Sequence, residues 1–172
     1  DRSPSRGLGD VYKRQDIEYP EIERLYSSPM LRAKQTGAVL YPEKQIVPVE
    51  ELKEYDFGSF EGKTAAELES NPDFLPWTSG KLTAPPGGEE NSDFIKRVCI
   101  GFNRITVDMV NGGYKSAAVI MHGGAIMMLL AAAGLPRRSP VEWTSENGRG
   151  YSLLVTPSLY FKSGAFEVYG II

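Results

Sequence analysis

The feature that most constrains the fold is an apolar segment that runs into two glycines and then into a second apolar segment. Residues 117–121 read AAVIM, residues 122–124 read HGG, and residues 125–133 read AIMMLLAAA. A short continuous apolar run is typical of a strand buried on both faces, as in a parallel sheet. The longer run after the glycines predicts a helix, which Gly134 and Pro136 end. This strand–turn–helix unit predicts an α/β protein.

The rest of the chain alternates in the same way. The predicted helices are residues 29–40, 64–70 and 91–111, the last one capped by Asn91 or Ser92. The other predicted strands are residues 22–28, 46–49, 151–156, 158–162 and 166–170, with a hairpin turn at Ser163 and Gly164. Pro48 favours a sheet edge for the second of these strands. Residues 71–88 are predicted to form a loop or lid. We expect a three-layer αβα sandwich with a mostly parallel sheet.

Composition excludes several functions. The 172 residues are enough for one domain with its own core. With 19 Lys plus Arg and 22 Asp plus Glu, the net charge is -3, which argues against a nucleic-acid binder. One Cys and one His exclude a Cys-rich or multi-histidine metal centre. The apolar run is too broken to span a membrane, and no signal peptide is visible. We expect a cytoplasmic protein without a metal.

Residues 1–15 (DRSPSRGLGDVYKRQ) do not fit this pattern. They show neither helical nor strand periodicity, which is typical of a disordered terminus. A second interpretation is a non-native leader, because DVYKRQ is the translation of a transposon-end sequencing adaptor. Under it, the domain comprises residues 16–172 and is incomplete at its N-terminus.

Two strand ends and one acidic segment carry the candidate chemistry. Ligands of open α/β sheets bind outside the carboxyl ends of strands. Arg32 begins a helix after the first strand, where its guanidinium could hold a phosphate by two hydrogen bonds. His122 and Gly123 follow the apolar strand at a helix N-terminus, which favours an anion. Glu54 lies among the acids of residues 50–56, and a carboxyl group beside a phosphate ester can serve as a general acid. Each residue alone has an ordinary structural interpretation; together they predict a phosphate site.

Several segments resemble motifs of the histidine phosphatase superfamily, also called the phosphoglycerate mutase-like family. Residues 25–36 (LYSSPMLRAKQT) resemble its SSPLxRAxQT motif, and residues 52–62 (LKEYDFGSFEG) resemble LxExDFGxWEG. Residues 86–90 (PGGEE) resemble PGGES, and residues 119–124 (VIMHGG) resemble the motif of its second histidine. Order and spacing agree from residue 22 to about residue 155, so the chain is identified as a member of this family.

The resemblance implies a metal-independent phosphomonoester hydrolase that acts through a phosphohistidine and needs no cofactor. Arg32, His122 and Gly123 would bind the phosphoryl oxygens, and His122 would stabilise the transferring group. Glu54 would donate a proton to the leaving group and later take one from water. Phe57 and Phe60 either line an apolar substrate pocket or pack a lid. The expected partner is a small phosphorylated metabolite, and neither nucleic acid nor a membrane is expected as a partner. A homodimer is one assembly compatible with the sequence.

One departure from the family is serious. The attacking histidine of the family stands in an Arg-His-Gly motif at the end of the first strand, and this chain has no such motif. His122 matches the second motif and is the only histidine. We expect that the nucleophile precedes Asp16, that a first strand and helix of about 30 residues are missing, and that the chain as given is inactive while its parent protein is active.

The spacing of the motifs favours a short phosphatase. Only residues 63–86 separate Gly62 from Gly87, where the mutase branch carries a long insertion. Thr64 and Ala65 stand where the mutases place Asn-Lys. The chain therefore resembles the alpha-ribazole and broad-specificity phosphatases, and most of all their bacterial members. Two alternatives remain: a phosphoglycerate mutase, and a non-catalytic phosphate-binding module.

Overall fold

The computed structural model describes residues 17–172, so the predictions for residues 1–15 lie outside the described residues. The strands are β1 (Arg24–Ser27), β2 (Ile46–Pro48), β3 (Ala117–Ile120), β4 (Gly134–Leu135), β5 (Tyr151–Leu154) and β6 (Phe166–Ile171). The α-helices are α1 (Leu31–Leu40), α2 (Ala65–Leu68), α3 (Phe74–Thr78), α4 (Asn91–Gly112), α5 (Gly123–Ala133) and α6 (Pro157–Ser163). Short 3-10 turns cover Glu50–Leu52, Gly58–Phe60 and Pro140–Trp143.

The strands form two three-stranded sheets with the orders β2-β1-β3 and β4-β6-β5. β1 pairs in parallel with both β2 and β3, and β4 pairs in parallel with β6. Only β5 and β6 are antiparallel within the described part of the chain. The α/β fold with mostly parallel pairing is therefore confirmed, and so is the edge position of β2. That a first strand and helix are missing stays a prediction.

The burial of β3 differs from the sequence expectation. All four of its residues are half-buried rather than fully buried. The reason is its position: β3 ends the first sheet, and its residues line a cavity of about 1050 Å³ that β5 of the second sheet also lines. The apolar sequence of β3 therefore reflects a strand with a protein neighbour on one edge and an open cavity at the other.

The long helix α4 organises the core. Its apolar face is buried at the expected helical spacing by Phe94, Val98, Phe102 and Ile105. α4 packs against α5 and against the turn Glu50–Leu52. The packing against that turn is close, because a Cβ on Gly101 would lie 2.9 Å from the Cβ of Glu51. The site segment that follows Leu52 is thereby fixed to the core.

The structure corrects the sequence predictions in three places. Residues 158–162 are part of the helix α6 rather than a strand, because Pro157 occupies the first helical turn. Ser163 and Gly164, with φ of 71° at Gly164, end this helix rather than forming the predicted hairpin turn. The N-cap of α4 is Glu90 rather than Asn91 or Ser92. Residues 71–88 contain the short helix α3, which carries Trp77. None of the helices between residues 17 and 172 is long and apolar enough to cross a membrane.

Leu52→Ala should strongly destabilise the chain, because the Leu52 side chain is 0% exposed beneath α4. Removing a buried leucine costs about 2–5 kcal/mol of unfolding free energy. Leu75→Ala is the matched control, since Leu75 is 73% exposed, and it should change stability by less than about 0.5 kcal/mol. Urea unfolding of both variants measures the difference. Equal effects would contradict the assigned packing.

Candidate active site

The register between β1 and β3 brings two chain segments together. Ser27 pairs with Ile120 at the last position of the two parallel strands. The next residue, Ser28, donates its backbone N–H to the carbonyl of Ile120 at 2.8 Å. Both segments then continue into helices, α1 after β1 and α5 after β3, at the same edge of the sheet. Because ligands of parallel sheets bind at this edge, residues that open the two helices are the natural site residues.

His122 lies at the end of β3 and is the N-cap residue of α5. Its side chain is 7% exposed, and its Nε2 lies 2.8 Å from the hydroxyl oxygen of Ser28. Burial, and to a smaller extent the positive charges of Arg32 and Arg97, together lower the pKa of His122 from 6.5 to about 4. The ring is therefore neutral at pH 7 and serves as a hydrogen-bonding group rather than as a cation.

Arg32 and the N-terminus of α5 supply the positive potential. Arg32 is the second residue of α1 and lines the cavity together with His122 and Gly123. Gly123 is exposed, and a Cβ added there would meet no atom within 4 Å. The first residue of α5 thus lies beside open space, with the positive end of the helix dipole behind it. A guanidinium and a helix N-terminus beside one cavity favour a phosphate-sized anion.

Glu54 reaches the same place from outside the sheet. Its Oε2 accepts a hydrogen bond from the backbone N–H of Gly124 at 3.0 Å, and its Oε1 accepts one from the N–H of Tyr55 at 2.9 Å. The approach is tight, because a Cβ on Gly124 would lie 2.6 Å from Oε1 of Glu54 and the carboxyl group would have to shift. Glu54 also lines the cavity. The carboxyl group is therefore held in one orientation beside the residues that are predicted to bind phosphate.

Arg97 of α4, which the sequence did not suggest, holds the backbone that carries Glu54. Its guanidinium donates to the carbonyls of Glu51 at 2.8 Å and Lys53 at 2.9 Å, and more weakly to that of Glu54 at 3.4 Å. It also forms a two-point ion pair with Glu89, with both N–O distances at 2.9 Å. A signal for it was available: an arginine stands directly before Val98 on the buried side of a long helix. Its partners, however, are distant in sequence.

Phe57 and Phe60 belong to an aromatic cluster with Tyr55, Phe74 and Trp77. Phe60 is 3% exposed, with ring-centroid distances of 5.6 Å to Trp77 and 5.9 Å to Phe74. Phe57 is half-buried, 5.1 Å from the ring of Tyr55. The expectation that Phe60 lines a substrate pocket is therefore corrected, because its ring is enclosed by other rings. For Phe57 it stays a prediction.

The described residues contain no group of three His, Cys, Asp or Glu side chains that could hold a metal ion. Whether the reaction needs a metal is a separate question, and independence of metals stays a prediction.

The fold and the site are those of an α/β protein with a guanidinium, a buried imidazole and a carboxyl group at the carboxyl ends of parallel strands. The chain belongs to the histidine phosphatase superfamily (branch 1), whose family model matches residues 5–157. The match begins inside residues 1–15, and the proposal that this segment is a foreign leader stays a prediction.

Relatives of this chain carry phosphatase names. A protein of Hydrogenobacter thermophilus named "Putative phosphoserine phosphatase 2" is 34% identical over 67% of this chain and 59% of its own length. A broad-specificity phosphatase of Saccharomyces cerevisiae is 28% identical over 72% of this chain and 53% of its own length. The chain thus spans little more than half of these two relatives.

Solved structures share the fold at low identity. The alpha-ribazole phosphatase of Shigella flexneri has a TM-score of 0.69 at 18% identity, covering 95% of this chain and 79% of its own. A phosphoglycerate mutase of Bacillus anthracis has a TM-score of 0.67 at 20% identity, covering 97% of this chain and 77% of its own. At these identities the likeness concerns the fold alone.

The single histidine makes the low pKa of His122 directly measurable. NMR titration of its ring protons should give a midpoint near 4 rather than the ordinary 6.5. Because the folded pKa lies below the unfolded one, the unfolded chain takes up the proton first as the pH falls. The resulting stability is complete above pH 6.5 and is lost as the pH falls towards 4, by roughly 3 kcal/mol in all. His122→Gln should lack this component. A midpoint near 6.5 would contradict the buried position.

Gly124→Ala tests the close approach of Glu54 to α5. The added methyl group must displace the Glu54 carboxyl group, so we expect a loss of about 1–3 kcal/mol of unfolding free energy. Gly123→Ala is the control in the same helical turn, where a Cβ meets nothing within 4 Å. It should stay within about 1 kcal/mol of the original chain. Thermal unfolding measures the stability of both variants, and equal losses would contradict the close contact between Gly124 and the Glu54 carboxyl group.

Proposed function

We propose that this site binds a phosphomonoester and that the intact protein hydrolyses it through a phosphohistidine. One observation carries the proposal: Arg32, Glu54, His122 and Gly123 line a single cavity beside the carboxyl ends of two paired parallel strands. Phosphoryl transfer depends mainly on positioning and on positive charge around the transferring oxygens. Membership of the family and the phosphatase names of relatives support the same reaction.

Each group has a distinct role in this reaction. Arg32 supplies the charge and can bind two phosphoryl oxygens through its planar guanidinium. The backbone N–H of Gly123 at the start of α5 adds a donor, and the neutral ring of His122 adds another. As a histidine nitrogen bonds to phosphorus and the ester bond breaks, Glu54 donates a proton to the leaving oxygen. Glu54 then takes a proton from the water that releases the phosphate.

The attacking nitrogen comes from a histidine other than His122. His122 is the only histidine of the 172 residues, and its Nε2 is engaged by Ser28 in a buried contact. β3 and β5 each end their sheet, and both line the cavity. A further strand in that cavity would deliver an Arg-His-Gly motif beside Arg32 and Glu54. The chain as given accordingly binds phosphate without turning over an ester.

The proposed substrate is a small phosphorylated metabolite. The short segment between Gly62 and Gly87 favours a phosphatase over a mutase. Net phosphate release separates this activity from the second candidate, a phosphoglycerate mutase, a class of enzyme with which the chain shares its fold at a TM-score of 0.67. A mutase would move the phosphate group without releasing it. The homodimer and the cytoplasmic location stay predictions.

Binding of inorganic phosphate to the 172-residue chain tests the site without requiring turnover. Arg32→Gln should weaken binding about 10- to 100-fold, since a charge-assisted hydrogen bond contributes about 1.5–3 kcal/mol. Arg137→Gln is the control, because Arg137 is exposed and bonds the carbonyl of Ala132 near the other end of α5. Calorimetric titration measures the dissociation constants. Equal affinities for the two variants would contradict the role of Arg32.

Hydrolysis of p-nitrophenyl phosphate tests the missing nucleophile. The 172-residue chain should give no steady release of phosphate, whereas a longer product of the same gene that contains the Arg-His-Gly strand should give release that Glu54→Gln reduces. Steady hydrolysis by the 172-residue chain that Glu54→Gln abolishes would sink the proposal that its nucleophile lies elsewhere.

A further inference from the structure

The contact between Ser28 and His122 joins two buried polar groups that lie 94 residues apart. Ser28 is 0% exposed and His122 is 7% exposed. The separation of 2.8 Å between Oγ and Nε2 is that of an ordinary, well-formed hydrogen bond. A buried hydroxyl and a buried ring nitrogen are costly to leave unpaired. In this hydrogen bond, either the Ser28 hydroxyl group or the His122 Nε2 must donate the proton.

The surroundings of Ser28 decide the direction of that hydrogen bond. Its hydroxyl oxygen already accepts from the backbone N–H of Met30 at 3.3 Å. The hydroxyl proton needs an acceptor of its own, and within residues 17–172 the Nε2 of His122 is the acceptor that lies within hydrogen-bonding distance. If Nε2 carried a proton instead, two protons would compete for one contact or the hydroxyl proton would lose its acceptor. Ser28 therefore donates and Nε2 accepts.

We propose that Ser28 is a positioning residue that fixes His122 as the tautomer with its proton on Nδ1. The Nδ1–H group is then the donor that the ring offers to a phosphoryl oxygen in the cavity, which His122 lines. The other ring nitrogen is the one that usually carries the proton in free histidine. The contact with Ser28 reverses that preference, since the tautomer follows the hydrogen bond made by the second nitrogen.

Two features of the site agree with this assignment. Only a neutral ring can accept at Nε2, and the low pKa of His122, near 4, keeps the ring neutral. Ser28 itself is fixed at the strand end, because its backbone N–H donates to the carbonyl of Ile120 at 2.8 Å. Arg32 thus provides charge, while His122 provides a donor of fixed direction. The assignment to a phosphoryl oxygen rests on the proposed function; the tautomer does not.

Long-range ¹H–¹⁵N NMR of the 172-residue chain at pH 7 reads the tautomer directly, because one histidine gives one pair of ring nitrogens. We expect the protonated nitrogen to be Nδ1 and the unprotonated one to be Nε2. Ser28→Ala should shift the population towards Nε2–H, and Ser28→Thr, which keeps a hydroxyl group, should restore Nδ1–H. A role of Ser28 in packing alone would not move this signal.

Ser27→Ala is the matched control. Ser27 is also 0% exposed, but its hydroxyl donates to the carbonyl of Ser28 at 2.8 Å rather than to the ring. It should leave the tautomer of His122 unchanged. Amide ¹H–¹⁵N spectra of each variant establish that the chain is folded. Should Ser28→Ala fail to fold, the original chain and Ser28→Thr still decide the matter.

Affinity for inorganic phosphate gives the functional arm of the test. Ser28→Ala should weaken phosphate binding on the order of 3- to 10-fold, the effect of one hydrogen bond, while Ser28→Thr and Ser27→Ala bind as the original chain does. Nε2–H in the original chain, or a tautomer unchanged in Ser28→Ala, overturns the inference. Nδ1–H without any phosphate binding contradicts the proposed function and leaves the action of Ser28 on His122 standing.

Discussion

The parallel pairing of β1 with β3 is the constraint on which the site depends. Their four register pairs end at Ser27 and Ile120. Ser28, Arg32 and His122 therefore all come after the carboxyl ends of these strands, at the same edge of the sheet. A slip of one residue would move one strand by about 3.3 Å along the other and turn the side chains of the shifted strand to the opposite face. The hydrogen bond between Ser28 and His122, at 2.8 Å, could not survive such a slip. Register therefore defines the geometry of the proposed anion site before any loop contributes to it.

Glu54 is delivered by different means, because it lies on neither strand. Leu52 is buried against α4, and Gly124 leaves room for the carboxyl oxygens. The guanidinium of Arg97 binds the backbone carbonyls of Glu51, Lys53 and Glu54. The proposed proton donor is thus attached to the core helix and to α5, while the residues proposed to bind phosphate follow the strands of the sheet. Such separate support keeps catalytic groups at fixed distances in a site that must bind and release small molecules.

Sequence reasoning was most accurate where a local pattern had a local cause. The α/β order, the strand near residues 117–121 and the positions of Arg32, Glu54 and His122 followed from periodicity, strand ends and family motifs. The helix Pro157–Ser163 was mistaken for a strand because its short apolar run is ambiguous, although Pro157 and Gly164 mark both helix ends. The partial burial of β3 and the role of Arg97 depend on contacts between distant segments, which one sequence does not display.

The most direct test of this account is a crystal structure of the 172-residue chain with bound orthovanadate, a stand-in for the transferring phosphoryl group. The account predicts one vanadate beside the carboxyl ends of β1 and β3, bound by the Arg32 guanidinium, the N–H of Gly123 and the Nδ1 of His122, with the Glu54 carboxyl group next to a vanadate oxygen. Vanadate bound elsewhere, or an occupied cavity in which Arg32 and His122 make no contact with it, would contradict the claim that these residues form a phosphate site.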